Sequence, residues 1–162
     1  LGLPTLMIGR VGGDSFGQAL LIAIQQAGVD SSGVTVDDSV HSGVAVITVT
    51  DGGENQIIGV LGANARVGDR ELDLLNQYLP QAKALLLQLE VPIAAVKAAA
   101  IAAHQAGVPV ILDPAPAPTE SISDVYPFVD YLVPNEVEAA QLVGFPVNSP
   151  ATAANAAMTL QQ

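Results

Sequence analysis

Four polar residues stand shortly after apolar segments that predict buried strands: Glu90, Asp113, Asn135 and Glu138. In an open α/β sheet, ligands bind in the crevice outside the carboxyl ends of parallel strands. Carboxylates and amides in such a row can hold hydroxyls, magnesium-bound water and phosphate oxygens. The spacing therefore predicts a ligand site along one edge of a sheet.

Each of these residues also has a purely structural interpretation. Glu90 precedes a helix predicted to start at Pro92, where the helix dipole favours a carboxylate by roughly 0.3–1 kcal/mol. Asn135 and Glu138 have the spacing of a capping box, which taken alone is the better explanation of that pair. Asp113 is a common turn residue before a proline. The functional interpretation is favoured because all four follow strands at the same predicted edge.

Other candidate groups do not match a known chemistry. His41 and His104 are far apart in the sequence, and we interpret both as structural. The glycine-rich residues 9–17 match neither a dinucleotide-binding fingerprint nor a P-loop, and they contain no lysine for a phosphate. Ser42 lacks the setting of a nucleophile elbow, and the aspartate pair that begins at Asp37 predicts a solvated turn.

Composition restricts the class of partner. The 162 residues carry a net charge of −11, from 5 basic and 16 acidic side chains, which leaves too few cations for a nucleic-acid-binding stripe. No apolar run approaches the ~20 residues of a spanning helix, and the N-terminal pattern is not that of a signal peptide. The absence of cysteine excludes a zinc–thiolate site and a disulfide. We therefore expect neither nucleic acid nor membrane as a partner, and take a cytoplasmic location as the default.

The order of predicted elements indicates a wound, mainly parallel α/β sheet with a small antiparallel insert. Strand patterns alternate with helical ones, which implies parallel strands joined by right-handed crossovers. The first helix is predicted to be capped by Asp14, with an inward stripe of Phe16, Leu20 and Ile24. The predicted strands are residues 5–8, 34–36, 43–50, 56–60, 84–87, 108–112 and 129–133, and later helices are predicted over 69–78 and from 92, 135 and 150 onward.

Two of these patterns have distinctive faces. Residues 84–87 have no polar face, as expected for a strand covered by helices on both sides. Residues 43–50 and 56–60, joined by a predicted turn at 51–54, are apolar on both faces. Because a two-strand insert cannot bury both of its faces alone, we expect a partner surface.

Both ends of the chain look cut. Leu1 is not a start methionine, and a strand pattern begins already at Thr5. The last helical pattern starts at Ser149 and runs to Gln162 without a glycine or asparagine stop. We expect an internal segment of a longer protein; a small domain with a frayed terminal helix is the alternative.

Several short segments occur along the chain in a fixed order. They are GRVGGDSFG at 9–17, SGVAVI at 42–47, GEN at 53–55, GAN at 62–64, QLE at 88–90, DPAPA at 113–117 and PNEVEAA at 134–140. Each is weak alone. Together, over essentially the whole chain, they resemble the ribokinases of the PfkB family of carbohydrate kinases.

The resemblance implies a ribokinase-like fold and ATP-dependent phosphorylation of D-ribose at its 5-hydroxyl, which gives ribose 5-phosphate. It makes Glu90 a ligand of the sugar hydroxyls and Ile47 an apolar lid residue against the sugar. It puts Asn135 near the ATP phosphates and gives Glu138 the role of holding Mg²⁺ through water.

The resemblance also divides the chain. Residues 1–33 and 62–162 would form part of the kinase core, and 34–61 the β lid, which in family members also makes a homodimer. The family's glycine-rich sugar loop has no counterpart here, and its catalytic aspartate and K⁺ loop are expected beyond Gln162. We therefore read the chain as the central part of a kinase, assign no catalytic residue, and expect the chain alone to be inactive.

Two alternatives stay open. Another PfkB-family sugar or nucleoside kinase, such as a fructokinase or a 2-keto-3-deoxygluconate kinase, fits because substrate choice depends largely on the missing loop. A non-catalytic sugar- or nucleotide-binding module that dimerises through the lid strands fits if the reading frame ends near Gln162.

Overall fold

In the computed structural model, which describes residues 2–118 and 120–161, the chain divides into two units. The first unit ends at Tyr78 and the second begins at Leu79. Leu1 and Gln162, on which part of the expectation of a cut chain rests, lie outside the described residues.

The first unit combines a parallel strand pair with an antiparallel hairpin. One strand pair, β1–β2, is parallel and joined through a helix, whereas β3 and β4 pair antiparallel. The hairpin turn at residues 51–54 is closed by a bond from the Thr50 N–H to the Glu54 carbonyl (2.9 Å), as predicted. The elements are β1 (Leu6–Gly12), α1 (Ser15–Gln26), β2 (Asp30–Asp37), β3 (Val44–Val49), β4 (Asn55–Val60), a 3₁₀ helix (Gly62–Arg66) and α2 (Asp69–Tyr78).

The predicted cap of α1 is confirmed, but its predicted inward stripe is wrong for Phe16 and Leu20, whereas Ile24 is half-buried. The Asp14 carboxylate accepts a hydrogen bond from the Gly17 N–H (2.8 Å). Phe16 and Leu20 remain 59% and 45% exposed, and Gly17 is the buried residue of the helix. The β1–β2 pair is too narrow to cover these side chains, because two strands lie about 4.8 Å apart whereas a helix with its side chains is about 10 Å across.

Residues 34–36, which the sequence groups with the lid, pair with β1. They belong to β2, where Val34 lies opposite Gly9 and Val36 opposite Val11 in a parallel ladder. Because α1 provides the crossover that parallel strands require, β2 returns beside β1 and the antiparallel pair begins only at Val44. Of the residues 34–61 that were assigned to a lid, those of the β3–β4 hairpin keep that assignment as a prediction.

An ion-pair network connects the ends of these elements. Arg10 on β1 donates to Glu71 Oε1 (3.1 Å) and Oε2 (3.0 Å) and to Asp37 Oδ2 (3.3 Å). Arg66 donates to the same Asp37 oxygen (3.3 Å). Glu71 on α2 is only 2% exposed, so its charge depends on Arg10. The prediction of a solvated turn is confirmed for Asp38, which is exposed in a turn, and is wrong for Asp37, whose carboxylate connects β2 to Arg10 on β1 and to Arg66 on the 3₁₀ helix.

The second unit is a three-stranded parallel sheet with flanking helices. The strand order is β5-β6-β7, and α3 packs on β5 and β6. Its elements are a 3₁₀ helix (Leu79–Gln81), β5 (Leu85–Leu87), α3 (Ile93–Gln105), β6 (Val110–Leu112), a 3₁₀ helix (Tyr126–Phe128), β7 (Tyr131–Leu132), α4 (Glu136–Val143) and α5 (Pro150–Leu160). Among the helices described here, none has both the length and the apolar character needed to cross a bilayer.

The strands of this sheet differ in burial. Val110 and Leu112 of the central strand β6 are fully buried, and Val96 of α3 packs in the same core at 1% exposure. Leu86 of β5, by contrast, is 72% exposed, so the expected cover on both faces of this strand is wrong for the described residues. Successive side chains of a strand point to opposite faces, and α3 lies on the face that Leu86 does not occupy.

We expect the first unit to lose stability in acid. Hydrogen bonds from Ser39 lower the pKa of Asp37 to about 2. Burial acts to raise the pKa of Glu71, but the bonds from Arg10 and the Gly68 N–H outweigh it and the pKa is lowered. Groups with a depressed folded-state pKa stabilise the fold above their unfolded pKa of about 4, and this contribution is lost as the pH falls toward 2.

Urea unfolding followed by circular dichroism between pH 7 and pH 2 measures the effect. The free energy of unfolding should be steady above pH 5 and decline below pH 4. Asp37→Asn should flatten part of that decline. A free energy of unfolding independent of pH from 5 to 2 would contradict the role of these carboxylates.

Candidate functional site

The carboxyl ends of β5, β6 and β7 lie side by side. Leu87 is in register with Leu112, and Leu112 with Leu132. The ladder continues past the strands, because the Asp113 N–H donates to the Leu87 carbonyl and the Val133 N–H to the Leu112 carbonyl, both at 2.9 Å. The chain therefore leaves all three strands at one edge of the sheet, as the sequence predicts.

Glu90 follows β5 on a segment fixed to its neighbour. The Leu89 N–H donates to the Ala115 carbonyl (2.9 Å), which ties this segment to the loop after β6. The Glu90 N–H bonds the side-chain oxygen of Gln88, and the Glu90 side chain is exposed. Its carboxylate makes no hydrogen bond or ion pair within residues 2–118 and 120–161.

The structure gives Glu90 no role in capping α3. The helix begins after Pro92 without a side-chain cap, and no acidic residue lies in its first turn. The absence of a capping bond leaves the weak dipole effect as the structural interpretation of Glu90, and that effect does not occupy its oxygens. Its carboxylate is available to accept hydrogen bonds from a ligand.

Asp113 directly follows β6, the central strand. Its backbone extends the parallel ladder to Leu87, and its side chain is exposed. Between the free carboxylates of Glu90 and Asp113, the edge is acidic and rich in hydrogen-bond acceptors. Acceptors of this kind suit a ligand with hydroxyl groups.

Asn135 and Glu138 form the capping box that their spacing predicts. Asn135 Oδ1 accepts from the N–H groups of Val137 and Glu138, both at 2.9 Å, and Glu138 Oε2 accepts from the Asn135 N–H (2.8 Å). The helix ends at Gly144, which is left-handed (φ 76°), also as predicted. Local structure therefore uses one oxygen of each side chain.

The other atoms of this pair are unused. Asn135 is exposed, and its Nδ2 group makes no hydrogen bond among the described residues. Glu138 is 7% exposed, and since no buried side-chain oxygen in the described chain lacks a partner, its Oε1 reaches solvent. The cap fixes the Asn135 amide so that its NH₂ donates outward, where it can meet an anion.

This arrangement fits Mg²⁺ only if another molecule supplies part of the metal's coordination. Among the described residues, no three His, Asp or Glu side chains converge on a point where a cation would sit. Magnesium is commonly held by one or two carboxylates together with substrate phosphates and water, so a single free oxygen of Glu138 suffices. The residues therefore fit a metal that arrives with a phosphate-bearing ligand.

Ile47 belongs to the first unit, whereas Glu90, Asn135 and Glu138 belong to the second. It lies on β3 opposite Ile57, and the two side chains are 57% and 58% exposed. The whole hairpin is exposed, on both of its faces. Its apolar side chains thus remain open to a ligand or to a partner surface.

Sequence reasoning missed a cluster at the base of the hairpin. Ser42 donates from Oγ to Asp14 Oδ1 (2.7 Å) and from its N–H to Oδ2 (2.9 Å), while its Oγ accepts from the Gly12 N–H (3.0 Å). The bonds from Gly17 and Ser42 hold the pKa of Asp14 well below its usual range. Asp14 and Ser42 are 28 residues apart in the sequence, so no local pattern indicates their contact. The glycines near both residues were the available signal, because glycine allows the backbone to approach closely.

Comparisons with known proteins identify relatives of this chain. A family model described as pfkB family carbohydrate kinase matches residues 1–162. A ribokinase of Schizosaccharomyces pombe is 40% identical over 149 residues, which cover 92% of this chain and 46% of that protein. A deoxyribokinase of Salmonella typhi is 32% identical over 149 residues, covering 92% of this chain and 49% of that protein.

The fold agrees as well. The structure of Arabidopsis thaliana ribokinase complexed with ribose and ATP superimposes with a TM-score of 0.84 and 31% identity, covering 98% of this chain and 52% of that one. The chain thus spans about half the length of the relatives that it matches. Since the family model matches every residue from 1 to 162, the chain belongs to the PfkB family of carbohydrate kinases.

Proposed function

We propose that the gene product is an ATP-dependent sugar kinase that phosphorylates D-ribose at its 5-hydroxyl. The alignment of β5, β6 and β7 carries the proposal, because it brings Glu90, Asp113 and Asn135 to one edge of the sheet in a chain of a carbohydrate kinase family. The similarity to ribokinases, one of them solved with ribose and ATP, supports ribose as the sugar.

The reaction needs positioning more than covalent chemistry from the protein. The sugar hydroxyl attacks the γ-phosphorus of ATP, the bond to the β–γ bridging oxygen breaks, and the hydroxyl proton passes to a base. Holding the two reactants in line supplies much of the rate. We assign binding roles to residues of this chain and assign none of them as the base, nor any to K⁺.

Glu90 is proposed to bind the sugar. A carboxylate with no protein partner, following the strand next to the central one, can accept hydrogen bonds from two adjacent hydroxyls. Hydrogen bonds to a charged group contribute about 1.5–3 kcal/mol. This role requires the charge, whereas a role in folding would require a contact of the carboxylate, which makes no hydrogen bond or ion pair with the described residues.

The test is a coupled ADP-release assay of the full-length gene product with D-ribose. Glu90→Ala should raise the KM for ribose by about 10- to 150-fold, which follows from losing a charged hydrogen bond. Glu90→Gln keeps the shape of the side chain and one acceptor, so its KM for ribose should lie between those of the wild type and Glu90→Ala. Both variants should melt at the wild-type temperature; a lower melting temperature with unchanged KM would assign Glu90 to the fold.

Asn135 and Glu138 are proposed to bind ATP. The outward Nδ2 group of Asn135, at the positive end of α4, can donate to a phosphate oxygen. Glu138 Oε1 would hold water of a Mg²⁺ ion, which when bound neutralises phosphate charge. The metal matters because the chain carries a net charge of −11, which opposes the approach of a bare nucleotide.

Asn135→Asp separates capping from nucleotide binding. Aspartate is an equally good N-cap, so helix stability should be kept, but it replaces the NH₂ donor by a negative charge. We expect a KM for ATP raised at least tenfold with the melting temperature unchanged. Asn135→Ala should raise the KM and also cost about 1 kcal/mol of stability. If Asn135→Asp has wild-type kinetics, the residue is a cap alone.

The β3–β4 hairpin is proposed as a lid that also joins two copies of the protein. Ile47 would lie against the sugar from one face of the hairpin. Val46 and Ile58 belong to the opposite face, where they are 57% and 60% exposed. An exposed apolar surface of this kind is typical of a site that a second apolar surface covers. A second copy of the same hairpin provides one.

Val46→Lys should convert a dimer to a monomer, because a lysine in an apolar interface loses its hydration without gaining a partner. Light scattering of the full-length gene product measures the mass. Met158→Lys is the matched control, since Met158 is 58% exposed but lies on α5. A wild-type mass equal to one chain, or dissociation by both variants, would count against dimerisation through the hairpin.

A related sugar is the second candidate substrate. The similarity to a deoxyribokinase favours 2-deoxyribose, and the kinase assay should therefore include it beside D-ribose and D-fructose. Binding without turnover for every sugar would favour a non-catalytic binding module. A cytoplasmic location belongs to the same proposal, because the reaction consumes ATP.

A further inference from the structure

The two ends of the hairpin are held together at its base. Residues 41–43 lead into β3 and residues 61–63 lead out of β4; we call them the hairpin roots. The Ala63 N–H donates to the His41 carbonyl (2.8 Å), which joins the two roots. A Cβ on Gly43 would lie 2.8 Å from the Leu61 carbonyl oxygen, and one on Gly62 would lie 2.7 Å from that of Ser42. The roots are therefore in direct backbone contact.

A single carboxylate fixes the entry root to the body of the unit. Asp14 accepts from the N–H (2.9 Å) and the hydroxyl (2.7 Å) of Ser42 and caps α1 through the Gly17 N–H (2.8 Å). Ser42 is 2% exposed, and its oxygen also accepts from the Gly12 N–H (3.0 Å). Bonds to an ionised acceptor are about twice as strong as neutral ones, and here both bonds are partly buried.

The second connection between the chain before and after the hairpin is weaker. Arg66 donates to Ser39 Oγ (2.6 Å) and to Asp37 (3.3 Å), and its side chain is 47% exposed. Ion pairs that are open to solvent contribute little, because water screens them. The exit root is held by packing, since the 3₁₀ helix that begins at Gly62 contacts β1 and Ala63 is fully buried, whereas the polar attachment of the entry root depends mainly on the bonds to Asp14.

We propose that Asp14 is a positioning residue for the β3–β4 hairpin: acting through Ser42, it sets the direction in which the hairpin leaves the first unit. The consequence for catalysis rests on the proposed function, in which the hairpin covers the sugar. Ile47 lies five residues beyond Ser42, a distance of about 16 Å along an extended strand. A tilt of about 10° at the root would move Ile47 by about 3 Å, which breaks a van der Waals contact.

Each of two variants removes one of the two bonds between Asp14 and Ser42 without removing the cap of α1. Asp14→Asn keeps Oδ1 for the Gly17 N–H and places an NH₂ group where the Ser42 N–H needs an acceptor. Ser42→Ala removes the hydroxyl bond to Asp14 Oδ1 and the acceptor of the Gly12 N–H, and keeps the backbone N–H bond to Oδ2. Asp30→Asn is the matched control, because Asp30 likewise accepts from a nearby backbone N–H, that of Ser32 (2.8 Å), but lies away from the roots.

Amide hydrogen exchange of the full-length gene product gives the first readout. In both variants, the amides at positions 42 and 63 should exchange about tenfold faster or more, which corresponds to about 1.4 kcal/mol. The α1 amides should be unchanged, and Asp30→Asn should leave the roots unchanged. Unaltered exchange at both roots, or equal acceleration throughout α1, β1 and β2, would overturn the proposal. If Asp14→Asn does not fold, Ser42→Ala decides alone.

Kinetics give the second readout. Both variants should raise the KM for D-ribose several-fold and leave the KM for ATP unchanged, a split that general destabilisation does not produce. Faster root exchange with an unchanged KM for ribose would overturn the positioning role. If the wild-type protein does not phosphorylate any sugar, the proposed function fails, and hydrogen exchange still decides whether Asp14 fixes the roots.

Discussion

The parallel register of β5, β6 and β7 is the constraint on which the candidate site depends. Two backbone bonds beyond the strands, from Asp113 to Leu87 and from Val133 to Leu112, keep the chain aligned past the end of each strand. Because the three strands run in one direction, each connection must leave at the same edge. Free polar side chains that are separated by more than forty residues in the sequence therefore share one border of the sheet.

Capping and the proposed binding roles involve different atoms of the same side chains. Asn135 gives its oxygen to α4 and retains its NH₂ group, and Glu138 gives one carboxylate oxygen and retains the other. Asp14 likewise caps α1 and binds Ser42 with the remaining lone pairs. A carboxylate or amide has more bonding positions than a cap requires, so a structural explanation of such a residue leaves room for a second role.

The fold was predictable where local rules decide it. The cap of α1 at Asp14, the turn at residues 51–54 and the capping box at Asn135 all follow from short-range preferences for backbone N–H groups and glycine geometry. Burial was less predictable: Phe16 and Leu86 are apolar and exposed, because a periodic pattern does not say how wide the surface beneath it is. The roles of Glu90, Ile47, Asn135 and Glu138 stay predictions.

Residues close together in the chain were enough to predict most of the helices and strands, their caps and the family resemblance. The pairing of the strands became visible only in the three-dimensional structure: residues 34–36 lie beside β1, and Asp37 joins two arginines. The structure alone revealed that Asp14 and Ser42 meet at the base of the hairpin. The physical reason is that pairing over long separations depends on the return path of the chain, which α1 sets by its length and direction, and no local pattern records that path.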